Sequence, residues 1–276
     1  MPESLSYFIA ALLYGLLALL AWRTMSQPSI NSSMSGQAYP ALLSKTIMPI
    51  AVILHAFLLF DSILGGGGFN LNLATALSLI IWLTILVYWV ESCWVKIGIL
   101  QNLLLPVAAI CVLLPHFMTA EHDLSYANMG MFKTHLAISM LSYSLLTIAA
   151  LHAVLLSYLE KRLHQGTLPA FLKNLPPLMS LERVTFHILL VGFVLLTLTL
   201  LTGIVFSEEL FGKPFRISHK IVFGFLAWLT FAFLLLGRYF WGWRGKTAVR
   251  WLLAGFVFLL LAYLGSKFVL EVVLHR

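Results

Sequence analysis

Eight apolar runs, each close to the roughly 20 residues an α-helix needs to cross the hydrocarbon core of a bilayer, dominate this chain of 276 residues. They fall at about Leu5–Trp22, Ile47–Leu64, Leu71–Val90, Ile97–Leu114, Phe132–Leu159, Val184–Phe206, Ile221–Leu236 and Trp251–Val273. Lipid offers the backbone no hydrogen-bond partners, so such runs must satisfy their N–H and C=O groups within themselves, as helices. The expected fold class is therefore all-α, a polytopic membrane protein with about eight transmembrane helices. Composition agrees: 61% of residues are hydrophobic and 10% charged, against about 25% charged in soluble domains, and the mean hydropathy is +0.97. Eight spans with short connections use up the length, so residues 1–276 are expected to form a single membrane domain.

The connections differ in kind. Residues 25–45 are rich in Ser, Gln, Asn and Pro and read as a loop, GGGG at 65–68 reads as a hairpin turn, and Pro106 predicts a kink in the fourth run. The first run begins with Glu3 and no nearby base, so it reads as a retained helix and not as a signal peptide. Cys93 and Cys111 form no CxxC and suggest neither a redox motif nor a cysteine metal site.

The net charge of +7 in a chain of this hydropathy points to orientation and contact with anionic lipid, and away from nucleic acid. With the N-terminus outside, eleven of the 17 Lys and Arg residues fall on the inner side. These include Arg23, Lys96, Lys161, Arg162, Arg238, Arg244, Lys246 and Arg250, whereas Lys133, Lys213, Arg216, Lys220, Lys267 and Arg276 fall outside. The positive-inside bias thus predicts both termini outside.

Nine histidines are the chemistry-bearing residues. His135 opens the fifth run and His219 precedes the seventh, so both are expected at the outer boundary, where an axial imidazole pair could hold one haem. Lys133 and Lys220 lie within two residues of these histidines and could pair with the two propionates, although lysines at helix ends also snorkel to the interface for no other reason. His55 and His187 fall in the inner half and make a second candidate group. His135 and His152 are separated by roughly 25 Å along one helix and cannot share an iron. A lone histidine in an apolar helix more often bonds a neighbouring helix than a cofactor, and His116, His122, His152, His164 and His275 are read in that ordinary way.

Several pieces carry a family resemblance, strongest over residues 132–268. MFKTHLAISMLSY at 131–143 presents a histidine at a loop-to-helix junction followed by SerTyr. GFVLLTLTLLTG at 192–203, AWLTFAFLLLGR at 227–238 and GWRGKTA at 242–248 follow it. In these the sequence resembles the CcsA-type cytochrome c assembly family of bacterial inner-membrane proteins. The resemblance implies a multi-pass fold, binding of haem b, and contact with other cytochrome maturation proteins. His135 corresponds to the family's histidine, whereas His219 matches none of its ligands and would substitute by position. Family members that attach haem carry a tryptophan-rich outer loop of the type WGxxWxWDPKE, where this chain reads LFGKPFRISHKI at 210–221.

The expectation is an inner-membrane protein that binds haem and assists haem handling or cytochrome c biogenesis without synthase activity, since no catalytic constellation is visible. A cofactor-free scaffold or regulator of haem biosynthesis remains the alternative. A small-solute transporter finds little support, because no paired interrupted helices are evident.

Overall fold

A computed structural model describes residues 2–26, 34–65, 71–94, 98–118, 130–166, 177–211 and 219–265. Among these every regular element is helical: α1 (Pro2–Ser26), α2 (Met34–Leu64), α3 (Leu73–Glu91), α4 (Gly98–Cys111), α5 (Leu114–Phe117), α6 (Gly130–His164), α7 (Leu178–Phe211), α8 (His219–Trp241) and α9 (Gly245–Leu260), the last continued by a π-helical turn, Leu261–Gly265. Eight helical segments are long and apolar enough to cross a membrane. The eight expected runs are all present, with different ends.

Helices extend past the apolar runs because hydropathy does not govern them outside the hydrocarbon. The segment read as a loop over 25–45 becomes helix from Met34, where AlaLeuLeu at 41–43 supplies strong helix formers. α6 runs through Glu160 to His164, and Lys161, Arg162 and His164 fall in its last turn, where positive charge offsets the helix dipole. α7 begins at Leu178, directly after Pro176 and Pro177, with Ser180 N–H donating to Pro177 O at 2.8 Å. Pro106 lies inside α4 without ending it. The helix stops at Cys111 and resumes as the single turn of α5, which carries Pro115 at its start, a position where a missing N–H costs nothing. The glycines at 66–68, the histidine at 122, the family's loop position at 212–218 and residues 266–276 lie outside the described residues.

The chain divides into two compact units, one of residues 1–124 with 168–176 and one of residues 125–167 with 177–276. In the first, α1 packs on α2 and α4, and α3 packs on α2, α4 and α5. Ala10, Tyr14 and Leu17 bury one stripe of α1. Asn72 caps α3 by accepting from Thr75 N–H at 2.8 Å, and its amide donates to Met118 O at 2.8 Å, tying the start of α3 to the residue after α5. Trp82 Nε1 donates to Val52 O at 2.9 Å, joining α3 to α2.

In the second unit α6, α7, α8 and α9 form a ring of neighbours: α6 on α7, α7 on α8, α8 on α9 and α9 on α6. Small residues let the backbones approach, and hydroxyls then reach across. Ser142 Oγ donates to Gly192 O at 3.0 Å, and Tyr143 Oη donates to Leu259 O at 3.1 Å. The α8–α9 turn takes Gly242 at φ 63° and Gly245 at φ 54°, a region where a side chain is strained. Further along, Phe231 fills the space beside Gly255, so that a Cβ there would meet the ring at 2.6 Å.

That packing is testable. Gly255→Leu should cost about 1–3 kcal/mol by overpacking, seen as a lower melting temperature of the detergent-purified protein. Gly15→Ala, with open space around the site, should leave it unchanged or slightly raised.

Candidate functional site

At the start of α6, His135 is half-buried, and its Nδ1 lies 2.8 Å from Thr202 Oγ1 on α7. The Thr202 hydroxyl donates to Leu198 O at 2.7 Å, one turn back in its own helix. These contacts hold the His135 ring against α7. A hydrogen bond from one ring nitrogen to a neighbouring group is how metal-ligating histidines are oriented. Gly203 leaves room for the ring, since a Cβ there would sit 3.4 Å from His135 Cε1.

His219 is the first residue of α8 and is exposed, as are Lys133 and Lys220. The register between α7 and α8 fixes its height. Trp228 Nε1 donates to Thr197 Oγ1 at 2.9 Å, and a Cβ on Gly224 would lie 3.5 Å from Leu200 Cδ2. Continuing this antiparallel register brings His219 level with about residues 205–206 of α7, so it and His135 stand within about one helical turn along the bundle. α6 and α8 both pack on α7 and on α9, which sets them diagonally across the ring. The unit thus brings its two boundary histidines and their two lysines to one end.

The opposite end carries an ion cluster that sequence reasoning missed. Arg238, in the last turn of α8, bonds Glu182 Oε1 through Nη1 and lies over the Phe186 ring at 3.6 Å from its centroid. Arg244 Nε lies 3.7 Å from the same carboxylate oxygen. A carboxylate partly removed from water between two guanidinium groups holds α7, α8 and the following turn together. Glu182 was hidden because it falls in a segment that reads as a basic loop. A cavity of about 220 Å³ adjoins it, lined mainly by apolar side chains of α6, α7 and α9.

The remaining histidines divide by surroundings. His187 is exposed on α7, whereas His152 on α6 is fully buried. His55 belongs to the first unit and is also fully buried. Its Nδ1 lies 3.2 Å from Tyr14 Oη and its Nε2 2.9 Å from Ser78 Oγ, so α1, α2 and α3 meet on one imidazole whose two nitrogens are both engaged. His116 stacks on Tyr7 at 5.5 Å. Among the described residues no group of three His, Cys, Asp or Glu could hold a metal, which leaves only two-ligand arrangements of these side chains.

The cytochrome C assembly protein family model matches residues 70–274, which include all of α3 through α9. The chain belongs to this family. It is 35% identical over 266 residues to the inner membrane protein YpjD of Escherichia coli (strain K12), an alignment covering 94% of this chain and 98% of that one. It is 30% identical over 185 residues to the cytochrome c biogenesis protein CcsA of Prochlorococcus marinus (strain AS9601), covering 60% of each chain. An uncharacterized 28.8 kDa protein of Azospirillum brasilense is 35% identical over 141 residues, about half of each chain. No solved structure matches. Like YpjD, this member of the family is a multi-pass inner-membrane protein, with eight helices able to span.

The clasp at His55 gives a prediction for the first unit. His55→Phe and Tyr14→Phe should each lower stability by about 1–3 kcal/mol, because each leaves a buried partner unsatisfied. The double variant should fall short of their sum, since both remove one interaction. Thermal denaturation of the four proteins measures the cycle, and strict additivity would show that the two groups do not interact.

Proposed function

We propose that this protein serves cytochrome c biogenesis by holding a b-type haem non-covalently at one end of its second unit. His135 and His219 would be the axial ligands, and Lys133 and Lys220 would face the propionates. Membership of the cytochrome c assembly family and likeness to a cytochrome c biogenesis protein support a place in that process. The observation that supports the site is the Thr202 hydrogen bond, which orients the His135 ring at this end of the unit. Neighbouring helices pack at about 8–10 Å between axes, so diagonal ones stand roughly 12–14 Å apart, enough for a flat macrocycle between two imidazoles.

When bound, haem would supply an iron that the two imidazoles hold low-spin and a pair of propionates that need cations. The protein's own part is to fix the His135 ring through Thr202, to present a second imidazole from a different helix, and to place ammonium groups at the boundary. The tryptophan-rich loop of haem-attaching relatives would be absent, so retention and delivery fit better than attachment. Haem, membrane lipid and other cytochrome maturation proteins would be the partners, and the two units would serve as one membrane domain. His55 and His187 would enter only as an inner level, and His55 would first have to release Tyr14 or Ser78.

A second reading, a cofactor-free scaffold or regulator of haem biosynthesis, is favoured by one observation. His55 shows a buried histidine of this chain fully occupied in joining helices.

One experiment separates these readings. His135→Ala and His219→Ala should each lose most low-spin haem absorbance, the double variant should match either single, and added imidazole should restore signal by filling the vacated position. His116→Phe, which keeps an aromatic ring against Tyr7, should retain full absorbance. Normal haem content in both alanine variants would place the haem on other ligands, and a folded wild-type protein without haem would favour the scaffold. Orientation is tested by reporter fusions: one placed after Lys246 should behave as cytoplasmic and one near Glu209 as external. The reverse pattern would move the histidine pair to the cytoplasmic side.

A further inference from the structure

Where the end of α6 meets the start of α9, a cavity of about 470 Å³ opens, lined by Ser157, Lys161, His164 and Gln165 from the α6 side and by Lys246 and Arg250 from α9. Its volume falls in the range of small-ligand sites, about 300–1,000 Å³. Among the described residues no carboxylate lines it. We propose that this cavity binds a phosphate-bearing anion, either the headgroup of an anionic phospholipid or a soluble phosphate compound.

The nearest acids are committed elsewhere. The Glu160 carboxylate oxygens lie 3.5 and 3.6 Å from where a Cβ on Gly245 would be, which places that side chain at the N-terminal end of α9. There its charge meets the positive end of the helix dipole. Glu182 is held by Arg238 and Arg244. Three permanent cations thus converge from two helices on one concavity without a lining carboxylate, and their mutual repulsion is relieved when an anion enters. The donor set suits phosphate: a planar guanidinium from Arg250, two ammonium groups, and neutral donors on Ser157 and Gln165. His164 is anchored by its Nδ1–H, which donates to Glu160 O at 2.8 Å, so the imidazole is held at the rim.

The bland explanation is that basic residues gather at the ends of spans for orientation alone. Arg162 shows the difference. It follows Lys161 directly, yet its guanidinium lies over the Tyr158 ring at 5.2 Å and takes no part in the cavity. The cavity lies at the last turns of the α6 span and the first turns of the α9 span, the ends of two segments long and apolar enough to cross a membrane, where headgroup phosphates would be met. This inference does not depend on the iron site, which lies at the other end of the unit.

The test uses the full-length protein in nanodiscs of zwitterionic lipid, titrated in one arm with cardiolipin or phosphatidylglycerol and in the other with inorganic phosphate or pyrophosphate. Thermal stabilisation is the readout. Saturable stabilisation is expected in at least one arm: the lipid arm alone would identify a headgroup, and the soluble arm a free phosphate compound. Lys246→Gln and Arg250→Gln should each weaken binding about fivefold, whereas Arg162→Gln, the same loss of charge one residue from the cavity lining, should stay within about twofold. Lys246 and Arg250 are exposed and Arg162 is half-buried, and unliganded melting temperatures confirm that each variant folds. No saturable effect in either arm, or an Arg162→Gln loss equal to the others, would overturn the proposal and leave only diffuse attraction to charge.

Discussion

Inside a bilayer a polar group must find its partner within the protein, and that requirement organises both units. The backbone meets it by forming helices. Side chains meet it by crossing between them: Trp82 to Val52 and His55 to Tyr14 and Ser78 in the first unit, Ser142 to Gly192 and Tyr143 to Leu259 in the second. Each such bond contributes only about 0.6–2 kcal/mol in a membrane, but each also fixes a register. Close contact does the rest, with Phe231 seated in the space that Gly255 leaves empty. The hydrophobic effect puts these helices into lipid, while close packing and hydrogen bonds between helices set how they pair.

Charge is pushed to the ends of the spans by the same requirement, and the second unit uses its two ends differently. One end holds Glu182 between Arg238 and Arg244, beside a patch of uncommitted bases on α6 and α9. The other brings an oriented imidazole on α6 level with the first residue of α8. Thr202 links fold to chemistry here. Its hydroxyl bonds both Leu198 O in its own helix and His135 on α6, so one back-bonding threonine fixes the position of the imidazole.

The number and type of spans could be read from the sequence, because the length and hydropathy of an apolar run are enough to identify it. Helix ends could not, since beyond the hydrocarbon a helix continues or stops for local reasons. α6 carries on through its charged last turn, and α4 stops ahead of Pro115 while accommodating Pro106. His135 stood out by residue type and position, but Thr202 did not, because a threonine in a helix normally bonds its own backbone and its second role shows only when α7 lies against α6. Histidine burial was equally hidden. His187 and His152 both sit near helix ends in sequence, and only the packing exposes the first and buries the second. Glu182 reads as one charge in a basic loop until Arg238 arrives from 56 residues away.

Family membership gives this fold a process, and the proposed site at His135 would give that process a place on the molecule. The most direct measurement is the absorption spectrum, with pyridine haemochrome analysis, of the wild-type protein purified in detergent from haem-replete cells. The account predicts the bands of a low-spin, six-coordinate b-type haem at close to one per chain. A protein that is folded and free of haem, or one whose iron is high-spin and five-coordinate, would contradict it.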